Sequence, residues 1–114
     1  MSCLEGEMKE VEILGATYTV ETDVERSSDI RLGDGDAFCD YSTKTIKLAK
    51  IQPDNMNQED LSVYKQRVMR HEIIHAFLFE SGLDNETWAR DESIIDWMAL
   101  QFHKIGKVIA QCVD

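Results

Sequence analysis

Two histidines and a glutamate stand together in the stretch "RHEIIHAFLFESG", at His71, Glu72 and His75. Apolar residues around them recur at three- and four-residue steps, which predicts a helix from about Asp60 to Ser81. Residues four apart project from one helix face, so each histidine can give one ring nitrogen to the same metal ion. The spacing therefore predicts a zinc site with Glu72 beside it. The alternative is a helix that carries two histidines by coincidence.

A catalytic zinc ion takes three protein ligands and leaves one position for water, so a third ligand is required. The stretch "RDESIID" offers Glu92 and Asp96, four apart on a second predicted helix from about Trp88 to Lys107, with Asn85 or Thr87 as its cap. Glu92 can bind the metal, and Asp96 can accept a hydrogen bond from a ligand histidine. Alternatively, both are simply acids that favour a helix N-terminus.

The first half of the chain reads as β-structure. Alternating residues in "EVEIL" and "TYTVE", joined at Gly15, predict one antiparallel hairpin, and "AFCDYSTKTIKLA" predicts a second hairpin around Ser42. Strands followed by helices indicate a single α+β domain over residues 1–114. We expect "KTIKLA", Lys44 to Ala49, to be an edge strand that binds an extended peptide. The alternative is an ordinary edge strand protected by lysines.

Charge and cysteine usage narrow the function classes. Acidic residues outnumber Lys plus Arg by 22 to 12, and the resulting charge of −10 opposes contact with nucleic acid or anionic membranes. No stretch is long and apolar enough to span a bilayer, and no secretion signal is visible at the N-terminus. Cys3, Cys39 and Cys112 are an odd number, which fits reduced thiols. We therefore expect a cytoplasmic protein that contacts neither nucleic acid nor membrane, of unspecified oligomeric state.

The motifs "HEIIH" and "DESIID" resemble those of the gluzincin metallopeptidases. In that group the first helix gives two histidine ligands and a catalytic glutamate, and the second gives a glutamate ligand with an aspartate four residues later. Nearly the whole chain, from "MKEVEILGATYTV" to "WARDESIIDWMALQF", resembles small zincin-like proteins of bacteriophages and prophages. Those proteins are similar to minimal gluzincins and to ImmA/IrrE-type metallopeptidases.

The resemblance implies that His71, His75 and Glu92 bind Zn²⁺, that Glu72 is the general base, and that Asp96 orients a ligand histidine. It implies a zincin-like fold, with a small, twisted, largely antiparallel sheet packed on the HExxH helix and on a second, C-terminal helix. It also implies a zinc-dependent peptidase that hydrolyses peptide bonds of an unidentified protein. Zinc would activate water at neutral pH, and the base would pass the water proton to the leaving amine.

Two other functions stay open at this point. No residue can be assigned to stabilise the oxyanion, since Tyr41 and Tyr64 fit that role but also fit ordinary aromatic packing. The chain is thus also compatible with a catalytically silent, metal-binding phage regulatory or interaction protein that binds a host protein. A third possibility is an acidic mimic of nucleic acid that captures a basic protein.

Overall fold

The computed structural model describes residues 7–51 and 61–113. Four strands come first, β1 (Met8–Ile13), β2 (Ala16–Val24), β3 (Ala37–Asp40) and β4 (Thr45–Ala49), and two helices follow, α1 (Leu61–Glu80) and α2 (Glu92–Cys112). The predicted α+β class is confirmed. Short 3-10 segments at Arg26–Ser28, Leu83–Asn85 and Thr87–Arg90 connect these elements. Asp60, the predicted start of the first helix, and Cys3 lie outside the described residues.

The four strands form one mixed sheet in the order β1-β2-β4-β3. Both predicted hairpins are confirmed, because β1 pairs antiparallel with β2 and β3 pairs antiparallel with β4. The first turns through Leu14 and Gly15, both at positive φ. β2 and β4 are parallel neighbours, so the predicted largely antiparallel sheet is in fact mixed.

The prediction that Lys44 to Ala49 is an edge strand is wrong. β4 lies between β2 and β3, and its Ile46, Leu48 and Ala49 are buried. Its interior position follows from two pairings, one parallel with β2 and one antiparallel with β3. The edges of the sheet are therefore β1 and β3.

Two buried clusters hold the helices in place. The first joins the sheet to one side of α1 through Ala76, with Val68, Met69 and Ile73 packed against it. The second joins the other side of α1, at Ile74 and Leu78, to Ala89 and to Ile95 and Ala99 of α2. This second cluster contains no strand residue, so α2 packs on α1, and the prediction that the sheet packs on both helices is corrected. α1 is the middle layer of the domain.

The second helix begins later and ends later than predicted. Asp91 caps α2 by accepting a hydrogen bond from the backbone N–H of Ser93 at 2.9 Å, so neither Asn85 nor Thr87 is its cap. Such a side-chain acceptor satisfies an N–H group that the first helical turn leaves free. The helix continues past Lys107 to Cys112. Within the described part of the chain, no helix has the length and apolarity to cross a membrane.

A buried aspartate fastens the loop between β2 and β3 to the sheet. The side chain of Asp29 is 8% exposed and accepts hydrogen bonds from the Arg31 guanidinium at 2.6 and 2.9 Å. Lys47 of β4 donates to the same carboxylate at 2.9 Å. These hydrogen bonds hold the pKa of Asp29 well below its usual range. The same guanidinium reaches Asp40 at the end of β3, so the network also positions the edge strand.

We predict that Asp29→Asn lowers the melting temperature at pH 7 and that this difference shrinks as the pH falls below about 4. The pKa of Asp29 is lower in the folded state than in the unfolded state. Its stabilising charge is therefore fully present above the unfolded value and lost as the pH falls through the folded value. Thermal unfolding at pH 7, 5 and 3 measures the effect, with Asp34→Asn, an exposed position in the same loop, as the control. An equal difference at all three pH values would contradict the prediction.

Candidate metal centre

Side chains from α1 and α2 converge on one point. Nε2 of His75 lies 3.1 Å from Nε2 of His71 and 3.0 Å from a carboxylate oxygen of Glu92. Nε2 of His71 lies 3.3 Å from the other oxygen of Glu92. Both histidine side chains are 17% exposed, whereas Glu92 is 61% exposed. The two nitrogens are thus sheltered on α1, and the carboxylate approaches them from α2.

The spacing of these three atoms suits a transition-metal ion. Ligands about 2.0–2.1 Å from a tetrahedral zinc ion lie roughly 3.3–3.5 Å from one another. The observed separations of 3.0 to 3.3 Å are slightly shorter, so a small outward movement would admit the ion. Two imidazoles and one carboxylate are a donor set of catalytic zinc sites, and imidazole also suits other transition metals. The residues therefore fit a divalent metal, and its identity as zinc stays a prediction.

Asp96 orients the first histidine. Its Oδ1 lies 2.8 Å from Nδ1 of His71, which is a hydrogen-bond contact. When Nδ1 carries the proton and donates it to Asp96, Nε2 keeps its lone pair and faces His75 and Glu92. Glu92 and Asp96 are one turn apart on α2, and they meet two histidines that are one turn apart on α1. The structure therefore brings together the four residues predicted to build the metal centre.

Glu72 lies beside the cluster in a less polar environment. It is 9% exposed, and its carboxylate forms no hydrogen bond with any other described residue. Burial, opposed by the charge of His71 and reinforced by the charge of Glu92, raises the pKa of Glu72 to about 7. Its side chain lines a cavity of 280 Å³ that also borders His71 and Asp96. A carboxylate in this setting can take up and release a proton near neutral pH.

The far wall of that cavity contains residues to which the sequence assigned no role. It is built by the start of β3 and by the first half of α1, through Asp36, Ala37, Tyr64, Arg67 and Val68. Tyr64, predicted as an oxyanion donor or a packing residue, donates its hydroxyl hydrogen bond to Asp36. Arg67 was missed, although it stands four residues before His71 and so shares its helix face.

Tyr41 and Cys39 line a different depression, together with Phe79. Tyr41 stacks on Phe79 with ring centroids 4.3 Å apart and planes inclined by 4°. Burial and then nearby negative charges, including those of Glu72 and Glu92, raise the pKa of Tyr41. The tyrosine therefore keeps its proton at neutral pH and can act as a hydrogen-bond donor. Cys39 packs against the apolar cluster between the sheet and α1. Burial raises the pKa of its thiol to about 12, so the thiol is unreactive at neutral pH.

We predict that the purified protein binds close to one zinc ion per chain and that His75→Ala binds almost none, because two ligands hold zinc far more weakly than three. Elemental analysis after purification without chelator measures the ratio. His103→Ala is the matched control, since His103 is an exposed histidine of α2 outside the cluster. Equal zinc content in wild type and His75→Ala would contradict the site.

We also predict that Asp96→Asn weakens zinc binding by about 10- to 100-fold without abolishing it. The amide oxygen still accepts a hydrogen bond from His71, but it lacks the charge that strengthens the histidine as a ligand. Competition with a chromogenic chelator measures the affinity, and Asp34→Asn controls for the loss of one remote negative charge. An unchanged affinity in Asp96→Asn would show that the 2.8 Å contact does not support the metal.

Comparisons with known proteins yield no relative. A scan against protein-family models, a search of curated proteins and a search of solved structures found no match to this chain. The likeness of "HEIIH" and "DESIID" to gluzincin motifs therefore stays a prediction. The function of the protein is inferred from its own residues and their geometry.

Proposed function

We propose that this protein is a zinc-dependent peptidase of gluzincin type that acts on a protein or peptide in the cytoplasm. The observation that carries the proposal is the placement of Glu72. It is a buried carboxylate without a partner among the described residues, and it shares one cavity with His71 and Asp96 at the edge of the His71–His75–Glu92 cluster. No fully buried side-chain oxygen among the described residues lacks a partner, so the Glu72 carboxylate is accessible from this cavity and can reach a water or substrate bound beside the cluster.

Each side chain has a defined task in this proposal. His71, His75 and Glu92 would hold the ion, and Asp96 would fix the ring of His71. A bound zinc ion supplies Lewis-acid activation of water and of the scissile carbonyl group. Glu72 would accept a proton from the attacking water and donate it to the nitrogen of the leaving amine. Its position on the cavity wall beside two of the cluster's residues suits both transfers.

The peptide would bind along β3. This strand is an edge of the sheet, and Ala37 at its start lines the same cavity as Glu72. An edge strand offers backbone N–H and C=O groups that an extended peptide can pair with. Beside its other end lies a depression of 590 Å³ with an apolar wall that includes Phe38, Tyr41 and Phe79. β3 therefore replaces Lys44–Ala49 as the candidate peptide-binding strand.

A second candidate function is a metal-stabilised interaction protein, such as a phage regulator that binds a host protein without cutting it. The exposed apolar face of α2 favours it. Large side chains on this helix are between 42% and 59% exposed, namely Trp97, Phe102, Ile105, Val108 and Ile109. Exposed apolar surface of this kind marks protein-binding sites in many soluble proteins. This candidate requires the metal but not Glu72.

We predict that Glu72→Gln lowers peptide hydrolysis at least about 100-fold while the protein still binds close to one zinc ion. The amide has nearly the same shape but cannot accept the water proton. Hydrolysis is measured by mass spectrometry on a proteome-derived peptide mixture, with zinc content determined on the same samples.

Glu86→Gln is the matched control, because Glu86 is an exposed glutamate outside the cluster and its substitution should leave hydrolysis unchanged. Cleavage that disappears in Glu72→Gln and in chelated wild type supports the peptidase. No cleavage by the zinc-loaded wild type, together with retained binding of a protein partner by Glu72→Gln, would favour the interaction protein.

A further inference from the structure

The cavity beside Glu72 is polar and large enough for one substrate side chain. Its volume is 280 Å³, and it runs from His71, Glu72 and Asp96 to the first half of α1. Tyr64 and Arg67 form its far wall. A group that enters it from a peptide along β3 would lie next to the catalytic cluster at one end and next to a guanidinium at the other.

Of the three carboxylates that line the cavity, Asp36 and Asp96 are already engaged. Asp36 accepts hydrogen bonds from Tyr64 and, at 2.7 Å, from Arg26. Asp96 is paired with His71 at 2.8 Å. These carboxylates are therefore poorly placed to attract a further cation from a substrate.

The positive charge on the wall, that of Arg67, has no carboxylate partner among the described residues. Arg67 forms no ion pair with any residue in the described ranges, and its guanidinium lies 5.5 Å from the centroid of the Tyr64 ring. This contact with the aromatic ring holds the side chain in place without neutralising it. A positioned guanidinium presents parallel N–H donors that match the two oxygens of a carboxylate.

We propose that Arg67 makes this cavity a carboxylate-binding subsite, which selects peptides with an acidic side chain or a free C-terminus close to the scissile bond. The inference rests on the proposed peptidase function and names the class of substrate. Arg67 precedes His71 by one helical turn, about 6 Å along the axis, which equals roughly two residues of extended peptide. The recognised group therefore lies within about two residues of the bond.

A dianionic phosphate fits less well, because it would face Asp36, Glu72 and Asp96 with one cation to balance it.

Binding to zinc-loaded Glu72→Gln protein, in which hydrolysis is suppressed, tests the subsite directly. Four N-acetylated tetrapeptides share their first three residues and end in glutamate amide, glutamine amide, alanine amide or alanine with a free carboxylate. NMR titration gives the Kd of each. We expect the acidic member of at least one pair to bind about tenfold tighter than its neutral partner. The glutamate pair reports on an acidic side chain, and the alanine pair on the chain terminus.

The same titrations in the double variant with Arg67→Gln should show no preference in either pair, and Arg67→Lys should restore part of it. Lys65→Gln is the matched control, since it removes one cation from α1 at a residue that faces Asp23, outside the cavity. Zinc content and melting temperature are measured for every variant. Equal Kd values within both pairs, measured in the Glu72→Gln protein that retains Arg67, would overturn the inference. A preference that persists in Arg67→Gln would overturn it too, because the carboxylate would then be bound elsewhere, for example by the metal.

Hydrolysis by protein with Glu72 intact separates the two proposals. If peptides are cut but neither acidic peptide binds more tightly, the subsite is refuted and the peptidase stands. If the acidic preference depends on Arg67 but the zinc-loaded wild type cuts nothing in a proteome-derived mixture, the peptidase is refuted and the carboxylate site stands.

Discussion

The central constraint on this molecule is that α1 must bury two of its sides at once. Ala76 and its neighbours on one side of α1 pack against the sheet. Ile74 and Leu78 on the other side pack against α2. A helix held by apolar contacts on two sides cannot rotate without exposing one of them, which would lose roughly 25 cal/mol for each Å² of apolar surface. The strip between those sides carries His71, Glu72 and His75. Packing that involves none of their polar atoms therefore fixes the direction in which they point.

The electrostatics of the cluster are consistent with a place for a cation. If Nδ1–H of His71 donates a hydrogen bond to Asp96, Nε2 of His71 is an acceptor, and ligand atoms of His75 and Glu92 face the same small volume. Without an ion, one proton on Nε2 of His75 must serve two acceptors. A divalent ion would satisfy all three ligand atoms at once, and it would also lower the energy of the nearby Glu72 carboxylate. The three ligand atoms are therefore placed where one divalent ion could contact them all.

Local features of the chain were predictable from sequence, and long-range ones were not. The four-residue spacing of His71 and His75, and of Glu92 and Asp96, specifies which side chains share a helix face, and alternation specifies both hairpins. The position of β4 inside the sheet depends on a parallel pairing with β2, a contact between strands that are not consecutive, which no local pattern encodes. The start of α2 was missed because Asn85 and Thr87, like Asp91, are residue types that cap helices. Arg67 was missed because the cavity that it lines is completed by Ala37 of β3, which only the fold brings alongside it.

A metal at this site would have a mechanical role as well as a chemical one. α2 is held to α1 by a small cluster in which Ile95 and Ala99 are its buried residues, while Glu92 and Asp96 are largely exposed. Two ligands on α1 and one on α2 would make the ion a crosslink between the helices, so part of its binding free energy would stabilise their packing. The orientation of His71 by Asp96 and the reach of Glu92 both depend on that packing. Loss of the metal would therefore weaken the packing of α2 on α1. Weaker packing of α2 would in turn lower the affinity for the metal, because Glu92 and Asp96 would no longer be held in place.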